Sequence, residues 1–170
     1  QLFSSPLSLS PLPSPLSLPI QWKPDTLSPD TYFVLGVNVN KALGHGANRG
    51  KVYYLHPELF KYACDGDDKT WLYENKLLPV HGGKAFLMIL KEVKFLVGSE
   101  ECYRNNKEIL NAVVKLQEFQ VPQFMLDKMK TFMRSVQGYF AQEASSASSS
   151  AQTVSNSQDS STSDAATQNS

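Results

Sequence analysis

The chain has 170 residues with sixteen basic and sixteen acidic side chains, so its formal net charge is zero. It contains no run of about 18 apolar residues, so the sequence predicts no membrane-spanning helix. The two cysteines, Cys64 and Cys102, follow no framework spacing, which favours free thiols in a reducing compartment over a disulfide-stapled secreted module.

The charges are unevenly placed along the chain. Every lysine and arginine lies between Lys23 and Arg134, whereas Glu143, Asp159 and Asp164 lie beyond that stretch. The middle of the chain therefore carries sixteen basic residues against thirteen acidic ones. This mild excess permits a polyanionic partner without requiring one, so only a local basic patch would indicate nucleic-acid binding.

The first twenty residues consist almost wholly of Leu, Ser and Pro and carry no charge. Proline favours extended backbone and interrupts helices, so we predict a disordered leader over residues 1–20 rather than a signal peptide. The alternative is that this leader binds, as a proline-rich ligand, in an aromatic groove on a partner protein.

Residues 21–140 are predicted to form one small α+β domain with short strands and several helices. In chain order, the pattern predicts a strand over 31–35 and one or two helical turns over 38–43. A tight glycine-containing loop follows over 45–50, and then a strand over 51–56. Pro57 suits the first position of a helix that continues to residue 63.

The second half of the domain is predicted to be mostly helical. Asp67 or Asp68 can cap a short helix that carries Trp71. The apolar run over 85–90 favours a strand, followed by a helix over 91–97. Another helix is indicated by apolar residues spaced by four and then three positions, namely Ile109, Val113 and Leu116.

Pro122 begins the last predicted helix, whose apolar face is rich in methionine. The simplest interpretation of this face is that it forms core. The alternative is that Met125, Met129 and Phe132 bind a partner, since methionine adapts to irregular surfaces. Beyond the helix, residues 141–170 are predicted to be a disordered Ser-rich tail, because they offer too little apolar surface to offset their ordering entropy.

Catalytic and metal-binding motifs are missing from the pattern. The run GHGANRGK over residues 44–51 resembles a phosphate-binding loop, but its Gly-Lys pair comes one residue too late. Val52 also stands where a Ser or Thr would hold magnesium. The histidines and cysteines form no pair at zinc-ligand spacing. We therefore predict a non-enzymatic protein with no catalytic residue, metal, cofactor or small-molecule substrate.

The segment from residue 41 to residue 61 is the most distinctive feature of the sequence. It carries several cations against one carboxylate, Glu58, and its glycines allow backbone N–H groups to approach a phosphate closely. Lys84 follows Gly82 and Gly83 in a similar setting. The candidate phosphate-binding residues are Lys41, Arg49, Lys51, Lys61 and Lys84. A merely solvated surface loop is the alternative.

Three asparagines near this segment are candidates for reading bases, because Asn can bind adenine through two hydrogen bonds. They are Asn38, Asn40 and Asn48. The alternative is that they form turns and helix caps, which is the more common role of asparagine.

The run YFVLGVNVNKALGHGANRGKVYYLHPELFKYACDGDDKTWL over residues 32–72 resembles a known family. Together with GGK and VP-x-x-M-x-x-KM further along, it is similar to the C-terminal domain of the deoxynucleotidyltransferase terminal-interacting protein 1 family. The similarity covers residues 22–134. It implies a Ski/Sno/Dachshund-like fold with a helix-turn-helix-like portion.

The resemblance also implies a nuclear function. Members of this family are subunits of a histone deacetylase complex, and this domain contacts double-stranded DNA and nucleosomes. Their dimerisation domain and basic AT-hook-like run do not occur in the present sequence, so deacetylase-complex partners are implied only through those other regions. The DNA-binding role is carried to Lys41, Arg49 and Lys51, and further to Lys61 and Lys84, but not to His45.

Overall fold

The computed structural model describes residues 22–79 and 83–150. Within these ranges three short strands and seven α-helices form a mixed α+β fold, which confirms the predicted class. A short 3-10 turn over Pro24–Thr26 precedes them. In chain order the elements are β1 (Phe33–Leu35), α1 (Gly36–Ala42), α2 (Lys51–Leu55), β2 (Tyr62–Ala63), α3 (Gly66–Glu74), β3 (Phe86–Ile89), α4 (Leu90–Ser99), α5 (Glu101–Arg104), α6 (Lys107–Val114) and α7 (Gln123–Ser150).

The three strands form an antiparallel sheet in the order β1-β3-β2. Phe33 pairs with Ile89 on one side of β3, and Tyr62 pairs with Leu87 on the other. Strand β3 lies between the other two, and its unbroken apolar run suits a strand that is covered on both faces. The predicted strands over 31–35 and 85–90 therefore correspond to β1 and β3.

Two apolar cores lie on opposite faces of this sheet. Side chains alternate along each strand, so Phe33 and Leu35 face one core while Val34 faces the other. The first core is completed by α3 and α7, which contribute residues such as Leu72 and Met129. The second core is completed by apolar side chains from α1, α2, α4, α5 and α6.

The methionine face of α7 is core. Met125 and Met129 are fully buried against the sheet, while half-buried Phe132 contacts the aromatic rings of Trp22, Phe60 and Tyr62. This burial agrees with the simpler interpretation of the stripe. Partner binding by Met125 and Met129 would require the first core to open, so the folded domain does not offer them as a docking surface.

Two adjacent predictions were wrong. The predicted strand over 51–56 is helix α2 up to Leu55, and the predicted helix over 57–63 is a set of turns followed by β2. Valine and tyrosine favour strands locally, but tertiary contacts override that preference. Val52 packs in the second core as part of a helical turn, and Tyr62 takes the free edge of β3.

Helix α3 begins one turn earlier than the sequence suggested. Asp65, rather than Asp67 or Asp68, is its N-cap, and its carboxylate accepts the Asp68 N–H at 3.0 Å. The Asp68 carboxylate accepts the Asp65 N–H at 3.1 Å in return, which completes a capping box. Buried Asp68 also accepts the Tyr62 hydroxyl and receives the Lys128 ammonium group from α7. This network ties α3, β2 and α7 together.

Among the described residues, those up to residue 137 belong to one unit and those from residue 138 onward belong to a second. In the second unit α7 continues to Ser150, so it enters the stretch predicted to be a Ser-rich tail. Residues 1–21, 80–82 and 151–170, which include the predicted leader and the rest of that tail, lie outside the described residues. Among the helices of the described residues, none has the length and apolar character needed to cross a membrane.

Candidate functional site

Residues 43–50 form a tight loop between α1 and α2, and buried Asn40 holds it in place. The Asn40 side-chain amide donates to the carbonyl oxygens of His45 at 2.9 Å and of Asn48 at 3.0 Å. Its Oδ1 accepts the Val52 N–H at 3.0 Å. One side chain therefore satisfies two loop carbonyls and the first turn of α2, which fixes the two helices relative to each other.

These bonds decide between the two interpretations of Asn40. Only 4% of its surface is exposed and all three of its hydrogen bonds are internal, so it cannot read a base from the folded domain. The turn-forming alternative is correct for this residue. Glycine is required at both ends of the loop, since Gly44 and Gly50 have φ angles of 82° and 74°.

A second anchor joins the loop to helix α5. The buried Tyr103 hydroxyl lies 3.3 Å from His45 Nε2 and 2.7 Å from His56 Nε2. Nδ1 of His56 in turn lies 3.3 Å from a Glu58 carboxylate oxygen. Partial burial, together with the positive charge of Lys51 and the nearby His56, lowers the pKa of His45. Sequence spacing could not show that these four side chains meet, because Tyr103 lies far along the chain from the other three.

Three of the predicted cations lie on the α1–loop–α2 unit. Lys41 and Arg49 are exposed, while Lys51 is half-buried at the first position of α2. The aliphatic part of Lys41 lies beside Gly46, since a β-carbon placed there would lie 3.9 Å from Lys41 Cγ. The structure therefore brings Lys41, Arg49 and Lys51 to one helix–loop–helix unit. We call this unit, residues 36–55, the basic unit.

Lys61 is joined to the basic unit through aromatic rings. Its Nζ lies 4.6 Å from the centre of the Tyr53 ring and 5.2 Å from that of Phe86. A cation over these ring faces is held in place without being neutralised. Lys84 is exposed and lies two residues before Phe86, at the start of β3. No contact joins Lys84 directly to the other four cations among the described residues.

Helix α2 presents a second feature that the strand prediction concealed. Tyr54 is 83% exposed and Leu55 is half exposed, although both are large apolar residues. Lys51 and Tyr54 are three positions apart, so they share one face of the helix. Tyr53 points the other way and covers Gly36, where a β-carbon would overlap its hydroxyl. Helical spacing would have revealed this face if α2 had been recognised.

The cations of the basic unit have no carboxylate partner among the described residues. Within residues 22–79 and 83–150, none of the five predicted cations forms a salt bridge with a carboxylate. The same ranges contain no group of three or more His, Cys, Asp or Glu side chains that could hold a metal ion. The unit thus offers positive charge, glycine-rich backbone and one exposed aromatic ring.

Residues 30–129 match the family model described as TdIF1, C-terminal, which covers more than half of the chain. The chain belongs to the TdIF1 family. Curated relatives named deoxynucleotidyltransferase terminal-interacting protein 1, from Rattus norvegicus, Mus musculus and Homo sapiens, are each 40% identical to it over 117 residues. These alignments cover 68% of the chain but 35% of each relative, so the chain spans about a third of their length.

The TdIF1 match confirms the family that the sequence motifs indicated. All five predicted cations lie within the matched residues 30–129, as do Asn40 and Tyr103. By their name, the TdIF1 relatives interact with a deoxynucleotidyltransferase. The basic unit therefore lies inside the region that this chain shares with the family.

Proposed function

We propose that this domain binds double-stranded DNA through the basic unit, with Lys61 and Lys84 as flanking contacts. The observation that carries the proposal is a rigid helix–loop–helix whose cations have no carboxylate partner among the described residues. Unpaired cations are free to replace the counterions of phosphate groups, which supplies most of the affinity of non-specific DNA binding.

The geometry supports a division of roles within the unit. Arg49 and Lys51 contact phosphates, while the exposed face of α2 with Tyr54 enters a groove. A short helix after a tight turn is the arrangement that helix-turn-helix proteins use, with the second helix nearer the bases. Sequence preference would then be modest, because Asn40 is committed to the loop.

The wider setting is proposed from the family. We infer that the chain acts in the nucleus as part of a chromatin protein, that nucleosomes are among its targets, and that it is not an enzyme. Association with a histone deacetylase complex would be made through family regions outside the residues matched in this chain. A terminal transferase is the partner named for the relatives.

Fluorescence anisotropy of the full chain with a labelled duplex, from about 50 to 200 mM salt, tests the DNA proposal. If about four phosphates are neutralised, affinity should fall roughly 150-fold over this range, with a salt slope of about −3.6. The Arg49→Ala/Lys51→Ala pair should weaken binding to every duplex and reduce the slope by about 1.8.

The matched control is the Lys130→Ala/Arg134→Ala pair. It removes the same two residue types from α7, which covers the opposite face of the sheet. Binding should be nearly unchanged in the control. If both variants weaken binding equally, the effect comes from the loss of net charge and not from the position of the cations. If the salt slope of the Arg49→Ala/Lys51→Ala variant is unchanged, the basic unit is not the surface that contacts DNA.

Protein interaction is the second candidate function, because the relatives are named for it. It predicts partner binding with little dependence on salt. With Met125 and Met129 buried, the binding surface would have to lie elsewhere on the domain.

A further inference from the structure

A second surface feature lies apart from the basic unit. An open groove of about 1000 Å³ is lined by the chain segment over 22–32, by Glu58 and Leu59, by Glu118 and Met133, and by the first half of α4. None of its lining residues belongs to the basic unit. It lies beside the end of the sheet where β1 begins and β3 ends, since Tyr32 and Ile89 both line it.

The groove is aromatic and close to charge-balanced. Trp22, Tyr32 and Phe95 line it, and Phe95 is 76% exposed although it is a large apolar side chain. Three lysines and four carboxylates also line it; they are Lys23, Lys91, Lys94, Asp30, Glu58, Glu92 and Glu118. With both signs present in nearly equal number, the lining favours an uncharged occupant over a strongly acidic or basic one.

Trp22 fixes the point where the leader meets this groove. Its indole N–H donates to the Glu58 carbonyl at 2.9 Å, and its own carbonyl accepts the Gln137 side-chain amide at 2.7 Å. Its ring packs edge-on against Phe60 at 5.3 Å between centroids. The chain that precedes Trp22 therefore starts from a rigid residue that itself lines the groove.

The leader has the chemistry that the groove favours. Residues 1–20 carry no charge, and six leucines and five prolines stand among them. Proline-rich segments adopt the extended polyproline helix, which docks in aromatic-lined grooves at low entropic cost. Because the segment is tethered beside the groove, its effective concentration there is on the order of millimolar, so weak contacts are sufficient.

We propose that residues 1–20 bind this groove in cis, with leucine side chains against Tyr32 and Phe95. The occupant is thus the chain's own leader. This proposal is independent of DNA binding, since it uses no residue of the basic unit.

Paramagnetic relaxation in the full chain tests the proposal. A nitroxide is attached at residue 8 in a Ser8→Cys, Cys102→Ser background, where Cys64 is buried. A free proline-rich tether of fourteen residues spans up to about 43 Å when it is fully extended and less when it bends, so some signal loss would occur without binding. Binding predicts a much stronger loss at the amides of Tyr32, Leu90 and Phe95 than at other surface amides near Trp22.

Two variants separate binding from tethering. Phe95→Ser removes the exposed aromatic side chain of the groove. The triple variant Leu7→Ser/Leu9→Ser/Leu12→Ser removes leucine side chains from the leader. Each should return the groove amides to the signal loss that is expected of a free tether. Val114→Ser is the matched control, because Val114 is 78% exposed and does not line the groove. It should keep the strong loss, and equal loss in all variants would overturn the proposal.

A mixed sample tests whether the contact is made in cis. Isotope-labelled chains without nitroxide are combined with nitroxide-carrying chains without isotope. Unattenuated groove amides support binding in cis. Attenuation in this sample would mean that the leader of another copy occupies the groove, which would overturn the proposal as stated.

Discussion

At the residue scale, the hydroxyl group of Tyr103 joins the loop between α1 and α2 to the residue that follows α2. His45 in the loop and His56 after α2 both lie within hydrogen-bonding distance of it. A phenol has one proton and can also accept, so one hydroxyl can bond to two ring nitrogens when it donates to one and accepts from the other. Burial disfavours the charged form of His45, and nearby Lys51 and His56 oppose a further positive charge, so the pKa of His45 is lowered.

This arrangement predicts a pH dependence of stability. The unfolded chain protonates His45 near its ordinary pKa of 6.5, whereas the folded chain resists protonation. Below that pH the unfolded state binds more protons, so stability falls as pH falls. We expect His45→Gln, which can keep a bond to Tyr103, to reduce the loss of stability between about pH 7.5 and pH 5.5. Urea unfolding at the two pH values measures it.

Identical pH dependence in the variant and the wild type would contradict this assignment. A direct check is the imidazole titration of His45 by NMR. A pKa above 6.5 in the folded protein would reverse the sign of the expected effect.

At the element scale, local pattern predicts structure where tertiary contacts agree with it. Strands β1 and β3 and helices α4 and α6 were predicted for this reason, since their apolar spacing matches the face that they bury. Helix α2 was not predictable, because its residues favour a strand and its conformation depends on Asn40 and on the close fit of Tyr53 over Gly36. The role of the five candidate cations stays a prediction from the sequence, whereas the exposed Tyr54 and the Tyr103 anchor were not predicted.

Loss of the Asn40 amide should loosen the whole basic unit. Asn40→Ala leaves the buried Val52 N–H without its acceptor. It also removes one bond from each of the His45 and Asn48 carbonyls, which keep the backbone N–H groups of Asn48 and Lys51. An unsatisfied buried group costs about 1 to 3 kcal/mol and each further lost hydrogen bond about 0.5 to 1.5 kcal/mol, so we expect a loss of about 2 to 6 kcal/mol in the free energy of unfolding. Chemical denaturation measures this loss, and Asn38→Ala on the same helix is the control. A loss no larger than that of the control would show that the loop does not depend on Asn40.

At the scale of the whole domain, the sheet separates two tasks. The face covered by α3 and α7 supplies packing, while the face covered by α1, α2, α4, α5 and α6 carries the basic unit. Sequence alone could not assign α7 to one task, because an apolar stripe has the same spacing whether it meets a sheet or a partner.

Met129→Ala should therefore lower the stability of the fold and not remove a partner-binding surface. Met129 is fully buried in the first core, and truncation of such a residue costs about 2 to 5 kcal/mol. We expect a marked fall in the melting temperature of the domain in the absence of any partner, measured by circular dichroism. Phe124→Ala, at an exposed position of the same helix, should have a much smaller effect. An unchanged melting temperature in Met129→Ala would reinstate the docking interpretation.

The small sheet also determines how the domain behaves toward its own copies. An open strand edge is a template for aggregation, because its unpaired N–H and C=O groups can recruit another chain. Here β2 is only two residues long, and the outer edge of β1 is occupied at Phe33, which exchanges two backbone hydrogen bonds with Phe119. Little edge remains for edge-to-edge growth of the sheet. If the domain binds DNA as proposed, copies of it can gather at high local density on one duplex without their sheets polymerising.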